Sequence, residues 1–131
     1  MSVQEESIRL HGCGFNCAQS VLAALGSYTG MEEKTALAVS GGFGGGVRCG
    51  EICGAVSGAV MALGLVCPYT DGTDAEAKAR IARLAKQMTG DFTQEFGCIR
   101  CQDLKKGGVV CNELIAWCAA RGEEIIRENK E

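Results

Sequence analysis

The sequence contains one proline, one histidine and one tryptophan, with only four Phe and two Tyr beside them in 131 residues. A lone His11 excludes a zinc site of the H-E-x-x-H kind and a haem held between two histidines. β-Branched and aromatic runs are short, and no Asn-Gly or Asp-Gly turn joins two alternating segments, so strands are not expected. Charge of one sign is also scarce. Thirteen Lys+Arg against sixteen Asp+Glu leave a net charge of −3 with no basic block, which argues against a nucleic-acid partner bound through phosphates. The first residues, Met1-Ser-Val-Gln-Glu-Glu, have neither a basic stretch nor an apolar one of the signal-peptide kind, and the expected location is the cytoplasm.

Against these shortages stand nine cysteines and nineteen glycines. A chain of this length buries enough surface to fold without staples, and a reducing cytoplasm does not favour a disulfide framework. An odd number of thiols would leave one over in any case. Metal ligation or redox chemistry is the explanation that remains, and the function is to be sought among the cysteines.

Helical periodicity predicts a lead-in helix over 3–10, a second from the N-cap Asn16 to Gly26, and a third over 31–40. Gly41-Gly-Phe-Gly-Gly-Gly46 cannot be helix interior, since each Gly costs roughly 1 kcal/mol there relative to Ala, and reads as a loop bringing Arg48 and Cys49 to the central helix. As a phosphate loop it lacks the third glycine of G-x-G-x-x-G and any Gly-Lys-Ser/Thr. From Gly50 to Val66 nearly every residue is small or apolar, but the stretch carries Glu51, stops at Pro68 and falls short of the ~20 residues that a membrane span needs. It reads as a buried central helix, with Gly50, Gly54, Gly58 and Ala62 as a stripe that lets neighbouring backbones come close. The same stripe is a candidate homodimer contact. Thr73-Asp-Ala-Glu76 reads as a capping box opening a helix that closes at Gly90, a short helical turn covers 91–97, and a last helix runs from Val110 to Asn129. The expected fold is all-α, one domain over 1–131, a bundle of five to six helices around the glycine-rich one.

Four cysteines stand out by position. Cys17, Cys53 and Cys111 fall in the first turns of predicted helices, where free N–H groups and the helix dipole favour thiolates, and Cys101 sits beside Arg100, Lys105 and Lys106. Four thiolates gathered away from water need protons, disulfides or a cationic centre to neutralise them, and soft thiolates suit both iron–sulfur clusters and zinc. Only Cys98/Cys101 has the C-x-x-C spacing of a zinc knuckle; 13/17 and 49/53 are C-x-x-x-C. A c-type haem is excluded because Gln102 stands where its His is needed. Cys67 and Cys118, in apolar runs, read as core residues.

Asn16-Cys17-Ala-Gln-Ser-Val-Leu22, the glycine run 41–46 leading to Glu51-Ile-Cys53-Gly-Ala-Val-Ser-Gly58, then Phe96-Gly97, Cys101-x-x-Leu104 and Cys111 together resemble the redox-active proteins of the C_GCAxxG_C_C family. The resemblance runs from about residue 12 to the final helix and implies a small helical redox protein whose four motif cysteines are Cys17, Cys53, Cys101 and Cys111. That family is in turn similar to the iron–sulfur domain of split-Soret cytochromes, so the resemblance implies iron. Cys13, Cys49 and Cys98 are additions to the pattern, each near a motif cysteine, and are candidates to extend the site.

These residues support three expectations. The first is an electron-transfer protein holding an iron–sulfur cluster through the four motif cysteines and serving a redox partner protein. The second is a metal-free thiol oxidoreductase cycling Cys98/Cys101 or a pair from different helices. The third is a structural zinc module.

Overall fold

Ser2, Asn16 and Asp74 each place a side-chain oxygen on the N–H three residues ahead, and each opens a helix. The computed structural model describes residues 1–129 of the chain. Its α-helices are α1 (Val3–Gly12), α2 (Cys17–Ala24), α3 (Gly26–Thr29), α4 (Glu33–Ser40), α5 (Gly54–Val66), α6 (Ala75–Phe96), α7 (Cys101–Lys106) and α8 (Cys111–Asn129). No strand forms among the described residues, only a one-pair antiparallel bridge between Ile52 and Arg100. The all-helical class is as expected, but eight helices replace five to six. The added ones are the four-residue α3 and the six-residue α7, too short to show a periodic pattern in sequence.

Three boundaries also move. The α6 cap is Asp74, whose carboxylate accepts from Ala77 N–H at 3.0 Å, because the Thr73 hydroxyl is already donated to Asp71. Gly90 does not end α6. The helix continues to Gly97, whose left-handed backbone (φ 86°) closes it, because Phe92 and Phe96 pack with Trp117 of α8 in a tilted and edge-to-face trio at 4.8–5.8 Å. Burial of those rings outweighs the roughly 1 kcal/mol that one helical glycine costs. The central helix starts at Gly54 rather than Gly50. Residues 51–53 pair with 99–101 instead, with Cys53 N–H donating to Ile99 O at 2.9 Å and Cys101 N–H to Glu51 O at 2.6 Å.

The buried face of α5, with Ala55, Val56, Ala59, Ala62 and Leu63, packs between α2, α6 and α8. The small-residue stripe works on its α2 side. A Cβ on Gly58 would stand 2.6 Å from the Ala18 carbonyl oxygen, and one on Gly54 would stand 3.0 Å from the Phe43 carbonyl. Gly122 of α8 packs less closely, a Cβ there standing 3.3 Å from Leu25 Cδ1 and 3.5 Å from Ala59 Cβ. No helix among the described residues is long and apolar enough to cross a membrane.

Candidate thiol site

The N-terminal ends of α2, α5, α7 and α8 meet at one end of the bundle. Cys17, Cys101 and Cys111 are the first residues of their helices and Cys53 is the residue that caps α5. Local sequence explains each placement. Asn16 and Gln19 exchange side-chain-to-backbone hydrogen bonds of 3.0 Å in a capping box that starts α2 at Cys17. The short ladder between 51–53 and 99–101 then holds Cys53 beside Cys101. His11 Nδ1 lies 2.7 Å from Asn112 Oδ1, joining the end of α1 to the start of α8 beside Cys111.

All four thiols line one cavity of about 250 Å³, together with His11, Asn16, Arg48, Lys105 and Leu114. Cys111 is the neighbouring thiol that bears most on Cys17. Among the described residues, no group of three or more His, Cys, Asp or Glu is gathered around a point that would hold a single metal ion. The four thiols share the lining of the cavity.

The helix starts alone would favour thiolates, and the N–H groups of Ala55 and Val56 do act on Cys53 in that sense. Burial is the stronger effect. It pushes Cys17 up to about 12, with Cys111, Cys53 and Cys101 adding like-charge repulsion, and it raises Cys53 as well. With burial dominant, these two groups are neutral thiols at pH 7.

Over residues 15–125 the chain matches the family described as "Putative redox-active protein (C_GCAxxG_C_C)". It belongs to that family. No curated protein and no solved structure matches it.

In this C_GCAxxG_C_C protein the glycine run forms a tight 3-10 turn at Gly41–Phe43, in place of the expected loop, and then a wide turn over Gly46–Gly50 closed by Glu51 N–H on Gly46 O at 3.0 Å. Gly44 and Gly46 lie against the Asn16 side chain and the Glu51 backbone so closely that neither has room for a Cβ. Inside the wide turn, Val47 (φ 57°) and Arg48 (φ 61°) are the only non-glycine residues with positive φ among those described. Such positions cost roughly 1–3 kcal/mol each and are uncommon for a β-branched residue. The turn aims Arg48 at the cavity, its guanidinium donating to Gly41 O at 2.9 Å, and Asn16 Nδ2 donates to the same carbonyl.

The three added cysteines are not brought to the cavity. Cys13 and Cys49 are exposed, the Cys49 thiol turned to Gly46 O at 3.4 Å, and Cys98 is half-buried against the core. Cys118 is fully buried, as expected of a core residue, but it also lies near Cys53 and Cys17, each of which adds to the upward push that burial exerts on it. Its position seven residues after Cys111, two turns along the same helix, carried that signal in the sequence.

Proposed function

We propose that this protein is a cytoplasmic electron-transfer protein whose single domain holds an iron–sulfur cluster through Cys17, Cys53, Cys101 and Cys111. The observation that carries the reading is that four thiols from four helix starts line one cavity. Their chemistry fits such a cluster: four soft donors, N–H groups directed at the Cys53 sulfur, and a space well beyond the ~30 Å³ share of a single water. A single zinc ion would instead need its sulfurs ~2.3 Å from one point. When bound, the cluster supplies one-electron exchange at a potential set by its surroundings. The chain's own residues hold the four sulfurs at helix starts, donate backbone N–H to Cys53, place Arg48 and Lys105 at the lining, and limit water with Leu104, Val109 and Leu114.

Anaerobic purification with visible absorption and analysis for iron and acid-labile sulfide tests the reading. A brown, sulfide-containing protein is expected. Colourless protein lacking sulfide after attempted reconstitution overturns it.

The nearness of Cys17 and Cys111 in one cavity lining, where Cys111 bears most on Cys17, favours a second reading, a metal-free thiol oxidoreductase. Here the two thiols become one disulfide, and two electrons and two protons pass to a disulfide-bearing co-substrate that is reduced to two thiols. Disulfide mapping of the colourless protein would then find Cys17 joined to Cys111.

A further inference from the structure

The cavity lining contains Arg48, Lys105 and His11 and no carboxylate, in a chain whose net charge is −3. Among the described residues neither Arg48 nor Lys105 has an ion-pair partner, and both are exposed. The two acidic side chains nearest in sequence, Glu51 and Asp103, are already engaged by Arg100, at 3.2 Å and 3.7 Å. Apolar surface stands beside the cations, since Val47 is 49% and Ile52 40% exposed. The backbone also holds Arg48 in place at the cost of two left-handed non-glycine residues, an arrangement that a solvated surface arginine does not need.

We propose that this mouth is the docking face for an acidic redox protein, whose carboxylates pair with Arg48 and Lys105 around a contact on Val47 and Ile52. Charge complementarity names the partner: the protein side chains lining the mouth include two cations without ion-pair partners and no carboxylate, while the molecule as a whole is negative, so an acidic surface matches this end. The nature of the partner as an electron donor or acceptor rests on the function proposed above; the docking face rests on charge and exposure alone.

The test has two arms. In the first, the full-length ¹⁵N-labelled protein as purified is titrated with a short poly-aspartate peptide as the acidic probe and with poly-lysine and a DNA oligonucleotide as controls. Poly-aspartate is expected to shift resonances of 45–52 and 104–110, with affinity falling about ten-fold or more in the double variant Arg48→Gln/Lys105→Gln and when salt rises from about 20 mM to about 0.5 M. Shifts centred on the basic residues of α6, no shifts, or equal binding of DNA at the mouth would overturn the proposal. This arm needs no cluster, so its failure is distinct from an absence of iron and sulfide.

In the second arm, the reduced holoprotein passes one electron to hexacyanoferrate(III), giving hexacyanoferrate(II), or to hexaammineruthenium(III), giving the ruthenium(II) ion, with no bond made or broken. The four thiolates and the centre they hold carry negative charge of their own at this mouth, so the readout is the comparison of proteins: Arg48→Gln/Lys105→Gln should slow the anionic oxidant relative to the cationic one at low salt. An unchanged ratio of the two rates in the variant would overturn the proposal.

Discussion

At the scale of the residue, two buried cysteines separate ligation from packing. Cys53 is 2% exposed and faces the cavity from the N-terminal end of α5, whereas Cys118 is wholly buried on α8 and does not line it. Both are small, soft side chains, so replacing either leaves a similar defect in packing. Cys53→Ser should therefore abolish the brown chromophore and the bound sulfide, while Cys118→Ala should keep both and cost only stability. Equal loss of iron in the two variants would make the cavity the wrong boundary for the ligand set. Asn16 is decisive in a different way, since its side chain caps α2 at Cys17 and also donates to Gly41 O beside Arg48. Asn16→Ala should cost about 1–2 kcal/mol in urea unfolding, at the upper end for a cap, because both bonds go together.

At the scale of the element, the glycines divide by what surrounds them. A Cβ on Gly58 meets the Ala18 carbonyl oxygen at 2.6 Å, backbone against backbone where α2 crosses α5, whereas a Cβ on Gly90 meets nothing within 4 Å. Gly58→Ala should destabilise by roughly 1–3 kcal/mol as the two helices are forced apart. Gly90→Ala, in the interior of α6, should stabilise by about 0.5–1 kcal/mol by reducing the freedom of the unfolded chain. Denaturation midpoints moving in opposite directions are the check, and a common sign would refute the assignment of close packing to the α2–α5 contact.

The helix start made by the Asn16 side chain is legible in the sequence, and the head of α2 falls where the pattern places it; that of α8 falls one residue after the expected Val110. Features made by distant partners are not legible. The run through Gly90 depends on Trp117 of α8, and the late start of α5 depends on the pairing of 51–53 with 99–101. In the glycine turn, the handedness of Val47 and Arg48 decides that Arg48 reaches the cavity and Cys49 does not. No local preference announces this, because both residues adopt a backbone that their side chains disfavour. Three of the motif cysteines can be picked out from predicted helix starts and Cys101 from the cations beside it, but their meeting in one cavity is a property of the assembled bundle.

At the scale of the whole molecule, the elements that bring the four thiols together are unequally anchored. α2, α5 and α8 carry five, seven and seven buried residues, while α7 has six residues in all and buries only Leu104. Its other ties to the bundle include the two hydrogen bonds of the 51–53/99–101 ladder, the approach of Gln102 to Gly50 of the wide turn, and the Arg100–Glu51 ion pair, which is exposed and worth little. Any centre bound by all four sulfurs would therefore do most of its structural work on α7, since ligation adds the free energy of binding to whichever segment is least stable by itself. Removing iron with a chelator should lower the melting temperature by at least ~5 °C. Amide hydrogen exchange should then speed up first over 99–110, with the cores of α2, α5 and α8 still protected. Uniform deprotection of all four helices would mean that the bundle has no folded metal-free state. Unchanged exchange over 99–110 would mean that Cys101 is not a ligand, and the site would reduce to the thiols of α2, α5 and α8.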